Sequence, residues 1–170
     1  PDWKKETFAG EDWRLGDTYH TVIGQYGFLV SPLQVVRGIS AIGNGGRLLS
    51  PTLLLTNKTS VDSKLLPLKK EDLNIILEGM RLAVTDGSAV ALNVPYVKVA
   101  AKTGTAEVGI SKGSINAWIG GIFPYEKPRY AFVVAMEKGR SGTVIGGGMV
   151  MRSLLDWMAQ NTPEYFEVKN

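Results

Sequence analysis

Four consecutive residues, Lys102-Thr103-Gly104-Thr105, place a fixed cation, two hydroxyls and a side-chain-free backbone within one short stretch. The surrounding segment, Tyr96 to Val108, reads as a strand. On a strand, Lys102 offers a point charge and several donors at a set position, and the Thr103 hydroxyl can donate to a carboxylate. Gly104 leaves room for another backbone to approach, and Thr105 adds a backbone N–H and a second hydroxyl. Acyl transfer needs these parts: a carboxylate anchor, room for the acyl chain, and donors for the oxyanion that forms. The same tripeptide also fits an ordinary strand that ends in Lys and Gly before a turn, so its context has to decide.

The context is a set of strands. Ser114 to Pro124 is a second strand-like run, Tyr125-Glu126-Lys127-Pro128 a turn, and Arg129 to Glu137 a third strand. These runs are rich in β-branched and aromatic residues and bounded by Gly and Pro. Three strands with short turns predict an antiparallel meander with Lys102-Thr103-Gly104 on its first strand. That strand is expected at an exposed edge, where an extended peptide can add to it.

The rest of the chain reads as support. Residues 1–30 look irregular, with Trp3, Trp13 and Tyr19 as packing anchors. Ser31-Pro32-Leu33-Gln34 opens a helix: Ser31 caps it, Pro32 suits its first position, and Gln34 completes a capping box. Val35, Val36, Ile39 and Ile42 form a buried stripe, and Gly45-Gly46 end the helix. Residues 47–68 form an extended excursion, with Ser50-Pro51 and Pro67 as breakers. A second helix covers 69–85, with Leu73, Ile76, Leu77, Met80 and Val84 inward and Glu71, Asp72, Glu78 and Arg81 outward. Gly146-Gly147-Gly148 leads into a last helix in which Met151, Leu154, Leu155 and Met158 share a face.

Composition narrows the function classes. The chain has 170 residues, 44% hydrophobic and 21% charged, ordinary for a soluble globular fold with one core. A net charge of +3 without a Lys/Arg stripe gives no basis for nucleic-acid binding. With no cysteine, disulfides, thiol catalysis and cysteine-based metal sites are excluded. No apolar run is long enough to span a bilayer. The single histidine, His20, would have to serve any Ser-His-Asp triad; a structural or exposed role is the stronger reading. Gly139-Arg140-Ser141-Gly142-Thr143 and Gly146-Gly147-Gly148 match neither common phosphate-binding glycine pattern, so a loop and a helix entry are expected there. Trp118 reads first as a packing residue. Asp86-Gly87-Ser88-Ala89 reads as a turn after a helix, with packing rather than chemistry as its role.

The ordered set of segments Gly16 to Gln25, Val30 to Gln34, Ala41 to Gly46 with Ser50-Pro51, Asp86 to Ala89, Ala101 to Glu107 and Ala117 to Tyr125 resembles the C-terminal part of the transpeptidase domain of class B penicillin-binding proteins, nearest the elongation type, penicillin-binding protein 2. One local departure is Gly24-Gln25-Tyr26-Gly27, where the family commonly has Gly-Gln-Gly. The resemblance implies the α+β fold of penicillin-recognising serine enzymes, with residues 1–170 forming the C-terminal part of a single transpeptidase domain. Lys-Thr-Gly is one of three signatures of this group. The other two, Ser-x-x-Lys and the Ser-x-Asn type, have no usable counterpart here, so the nucleophile is expected on upstream sequence and this chain alone is expected to be inactive.

By the same resemblance, Lys102 lies beside the serine of the Ser-x-Asn motif and sets the electrostatics there. The Thr105 N–H is one of two oxyanion donors. Thr103, Gly104 and Thr105 bind the substrate, with no metal or other cofactor. The implied activity is peptidoglycan D,D-transpeptidation through a serine acyl-enzyme, which β-lactams also acylate. A β-lactam-hydrolysing or sensing relative and a non-catalytic wall-binding or scaffold module are the alternatives. The implied partners are peptide stems, β-lactams, the upstream part of the same protein, and elongation-machinery membrane proteins such as a SEDS glycosyltransferase and an MreC-like scaffold. The implied location is the periplasmic face of the bacterial inner membrane, held by an N-terminal anchor.

Overall fold

The computed structural model describes residues 2–25, 29–54, 62–108, 113–140, 142 and 146–167. Tyr26 and Gly27, the 55–61 part of the excursion, and Ser141 and Thr143 lie outside the described residues. The chain divides into two compact units, Pro1–Val30 and Ser31–Asn170.

The first unit is more ordered than its sequence predicts. It contains two short helices, α1 (Asp2–Thr7) and α2 (Leu15–Val22). Its organising contact is ionic. The Lys4 side chain is 1% exposed, and Nζ lies 2.7 Å from Asp17 Oδ2 and 2.8 Å from the Asp12 carbonyl. The same carboxylate oxygen accepts the Arg14 N–H at 2.7 Å, closing the start of α2. A buried ammonium persists only when paired and fully hydrogen-bonded. Of the expected aromatic anchors, Trp3 and Tyr19 are exposed. Trp13 is half-buried and donates to the Thr18 hydroxyl. Tyr19 follows Asp17 by two residues, about 200° around a helix, so it points away from the ion pair. His20 lies on the exposed surface of α2, within the stretch expected to be irregular.

The second unit begins with α3 (Pro32–Gly43), capped as its sequence predicts. The Gln34 N–H donates to Ser31 Oγ at 3.3 Å, and the Ser31 N–H donates to Gln34 Oε1 at 2.8 Å. Val35, Val36, Ile39 and Ile42 are half-buried; Ala41 is the fully buried member of this helix. The excursion that follows contains a short antiparallel ribbon, β1 (Arg47–Leu49) with β2 (Ser63–Leu65), which no alternating pattern announces in the sequence.

Helix α4 (Lys70–Thr85) buries Leu73, Met80 and Val84, with Leu77 half-buried. These four recur at i, i+4, i+7 and i+11, a narrow stripe. Ile76 falls at its margin and is exposed. Arg81, expected on the solvent face, flanks the stripe from the other side. Its Nη1 donates to the Val99 carbonyl at 2.9 Å.

The sheet is the antiparallel meander expected, in the order β3 (Ala100–Val108), β4 (Ser114–Phe123), β5 (Tyr130–Arg140). Two boundaries differ from the sequence reading. Tyr96 to Val99 are not in the strand, and the last two carbonyls are used elsewhere: Lys98 accepts from the Tyr125 N–H at 2.8 Å and Val99 from Arg81. Strand β5 runs on to Arg140, so Gly139 and Arg140 belong to a strand and not to a loop.

Side chains alternate across the sheet, and each face has its own core. On one face Ala101, Ile119 and Phe123 pack with Met151 and Leu155 of α5 (Gly147–Asn161). On the other, Ala100 and Ile122 pack with Met80 and with half-buried Ile39 and Ile42. In α5, Met151, Leu155 and Met158 make the inward stripe, while Leu154 is 48% exposed. The result is an α+β layered arrangement, with α3 and α4 on one side of the sheet and α5 on the other. Among the described residues, β3 pairs with β4 along one side and with no strand along its other side.

Candidate active site

Lys102, Thr103, Gly104 and Thr105 all lie on β3, the edge strand, opposite Gly120, Ile119, Trp118 and Ala117 of β4. The alternation that builds two cores also divides these residues. Lys102 and Gly104 share the face of Ala100, toward α3 and α4. Thr103 and Thr105 share the face of Ala101, toward α5. The motif is therefore readable from both sides of one edge, where a row of backbone groups faces away from the partner strand.

Lys102 is exposed, and its ammonium donates to the Thr103 carbonyl. Gly104 is exposed and lies in an ordinary strand conformation. A Cβ built on it would meet only Trp118 Cβ, at 3.5 Å, an ordinary contact. The protein itself does not require glycine here; the space it leaves is on the Ala100 face of the strand, beside Trp118.

A cleft of about 360 Å³ adjoins this edge. Its walls are Thr103, Gly104 and Thr105 from β3, Ile115, Ala117 and Trp118 from β4, Ser88, Val90 and Ala91 from the segment after α4, and Gly146 to Met149 at the entry of α5. The lining combines hydroxyls, glycine backbone and apolar surface, with no carboxylate side chain. Such a surface accepts an anionic or neutral extended ligand without like-charge repulsion. Among the described residues no group of three or more His, Asp or Glu side chains is placed to hold a metal ion.

Three stretches of the cleft wall do more than the role their sequence suggests. The turn at Asp86-Gly87-Ser88-Ala89 carries more than packing. Ala89 is buried and its N–H donates to the Ala83 carbonyl at 2.8 Å, while Ser88 Oγ lies 2.7 Å from Thr103 Oγ1. Gly146-Gly147-Gly148 is the entry of α5, as its sequence predicts, and also a cleft wall. Trp118 is half-buried and lines the cleft as well as packing. No sequence rule joins Ser88 to Thr103: they are 15 residues apart on different elements, and only a hydroxyl next to a helix-terminating glycine marks the spot.

A clamp holds the approach to β3. The Tyr96 hydroxyl donates to Asp156 Oδ1. Arg152 Nε donates to both oxygens of that carboxylate at 3.0 Å, and its Nη1 reaches the Ala91 carbonyl at 3.1 Å. Burial, with the Asp156 hydrogen bond, pushes the Tyr96 hydroxyl up to about 12. The same bond, with Arg152 beside it, holds the Asp156 carboxyl below the usual carboxylate range. The clamp joins α5 to the segment between α4 and β3, both of which line the cleft.

The sequence contains Ser114-Ile115-Asn116, but these residues lie at the far end of β4. The Asn116 side-chain carbonyl accepts the Lys138 N–H at 2.9 Å, at an irregularity in the β4–β5 ladder. Asn116 is thus engaged by the sheet, while Ile115 reaches the cleft wall.

The geometry can be set beside proteins of known family. Residues 4–152 match the family model for the penicillin binding protein transpeptidase domain. The peptidoglycan D,D-transpeptidase MrdA of Acinetobacter baumannii is 28% identical over 164 residues, covering 84% of this chain and 24% of that protein. Among solved structures, penicillin-binding protein PBP2 of Helicobacter pylori superposes with a TM-score of 0.73 at 33% identity, over 94% of this chain and 30% of that one. The same protein in its complex with MreC gives 0.75 at 30% identity, with the same coverage. The chain thus spans less than a third of the length of each of these relatives. Its order of elements, its Lys102-Thr103-Gly104 on an edge strand and a family match over most of its length agree: the chain belongs to the penicillin-binding protein transpeptidase domain family.

Proposed function

We propose that this chain supplies the substrate-binding strand and half of the oxyanion site of a peptidoglycan D,D-transpeptidase of the elongation type, and that residues 1–170 are the C-terminal part of that domain. One observation carries the reading: Lys102 to Thr105 lie on an edge strand beside an open cleft with no acidic lining. A serine outside these 170 residues attacks the penultimate D-Ala carbonyl of a peptide stem. The N–H of Thr105 donates to the oxyanion, the second donor coming from the nucleophile's own backbone. Gly104 lets the stem lie against β3 as an added strand. The hydroxyls of Thr103 and Thr105 take the terminal carboxylate, and Lys102 holds positive charge beside the serine of the Ser-x-Asn motif. D-Ala leaves, and the amine of a neighbouring stem accepts the acyl group. A β-lactam enters the same way but leaves its acyl group on the serine.

The MreC complex of the H. pylori relative supports an MreC-like scaffold as a partner; a SEDS glycosyltransferase is the second partner proposed. The proposed location is the periplasmic face of the inner membrane, with an anchor N-terminal to this chain. The test is mass spectrometry of the full-length protein after exposure to benzylpenicillin. A penicilloyl group is expected on a serine outside residues 1–170. No adduct, or an adduct on a residue of this chain, overturns the proposal.

A further inference from the structure

Resting on the transpeptidase reading, we infer that Ser88 is a positioning residue for carboxylate recognition: its hydroxyl donates to Thr103 Oγ1 and so directs the Thr103 proton into the cleft. Ser88 Oγ and Thr103 Oγ1 are 2.7 Å apart, and both residues line the cleft. Either oxygen of the pair can be the donor. A carboxylate decides the sense. It only accepts, so Thr103 must spend its single proton on it. Thr103 can then keep its bond to Ser88 only by accepting from it. Ligand entry therefore orders the pair as Ser88 O–H to Thr103 O–H to carboxylate, and each bond polarises the next.

Ser88 is held well enough to do this. The Asp86 N–H closes on the Leu82 carbonyl at 2.9 Å and the Ala89 N–H on the Ala83 carbonyl at 2.8 Å. Gly87 packs so closely that a Cβ there would stand 2.9 Å from Ala83 Cα. Ala89 and Leu92 on the far side are fully buried. The turn is thus pinned to α4 and to the core, and it carries Ser88 to the back of the motif strand.

The experiment uses the full-length protein and measures second-order acylation rates with two probes, benzylpenicillin and its methyl ester, which lacks the carboxylate. Ser88→Ala should slow acylation by benzylpenicillin about 3- to 10-fold, the range of one neutral hydrogen bond, and leave the slower reaction of the ester unchanged. Ser88→Thr should restore the benzylpenicillin rate. In a Thr103→Val background, Ser88→Ala should have no further effect, since the relay is already cut. An unchanged benzylpenicillin rate in Ser88→Ala overturns the inference, and so does an equal loss with both probes, which would mark a purely structural role. Wild-type protein that acylates normally beside such a result leaves the transpeptidase reading standing; wild-type protein that does not acylate at all overturns both.

Discussion

Gly104→Val separates what the protein needs from what its ligand needs. The backbone at Gly104 is in a region open to any L-residue, and an added Cβ would have one neighbour, Trp118 Cβ at 3.5 Å. A β-branched residue suits an edge strand, and glycine in a strand interior costs about 0.5–1 kcal/mol relative to alanine. Stability should therefore hold or rise slightly. Acylation should fall, because the two methyls would stand on the Ala100 face of the exposed edge strand, beside Trp118, and crowd a stem or drug lying against β3. If they push the ligand out of strand-addition distance, two backbone hydrogen bonds are lost. At about 0.5–1.5 kcal/mol each, the loss is about 1–3 kcal/mol, or 5- to 150-fold in acylation rate. The assay is labelled-penicillin incorporation over time in the full-length protein, beside a thermal melt of the same sample. A normal acylation rate would refute the close approach at Gly104. A slow rate accompanied by a melting point several degrees lower would show that the residue acts on folding instead.

Three further outcomes follow from the same geometry. Lys102→Ala removes an exposed cation, so stability should change by no more than about 0.5 kcal/mol, while acylation falls about 100- to 1,000-fold, the usual cost of deleting one positioned electrostatic group; a near-normal rate would remove Lys102 from the site. Gly87→Ala forces a Cβ to within 2.9 Å of Ala83 Cα, and should cost about 1–3 kcal/mol by overpacking, read as a lower denaturation midpoint with unchanged slope. The Tyr96–Asp156 bond predicts a pH window. The Tyr96 value is raised in the fold, so its contribution is whole below its unfolded value of 10.0 and is lost as pH rises through about 12. The Asp156 value is lowered, so its contribution is present above its unfolded value of 3.8 and is lost as pH falls below that. Tyr96→Phe should flatten the alkaline limb of a stability–pH curve, and an unchanged limb would show that the bond does not matter to folding.

Local chemistry was legible in the residues alone. The capping box at Ser31 and Gln34, the strand character of Lys102 to Thr105, the meander that follows and most of the inward positions of α4 and α5, Ile76 and Leu154 excepted, depend on neighbours a few residues away. Periodicity and turn residues report such neighbours directly. The family resemblance rested on the order of short segments, which is also a property of the chain. Three features depended on contacts between distant segments. Lys4 became the centre of the first unit because Asp17 and the Asp12 carbonyl converge on it, whereas composition pointed to the tryptophans. Arg81 turned inward because the Val99 carbonyl, 18 residues on, needed a donor. Ser88 became part of the cleft wall because the turn after α4 is pinned against β3, with Ser88 Oγ beside Thr103 Oγ1. A hydrogen bond across a fold has no period in sequence, and its geometry exists only once the sheet has brought both partners to the same edge.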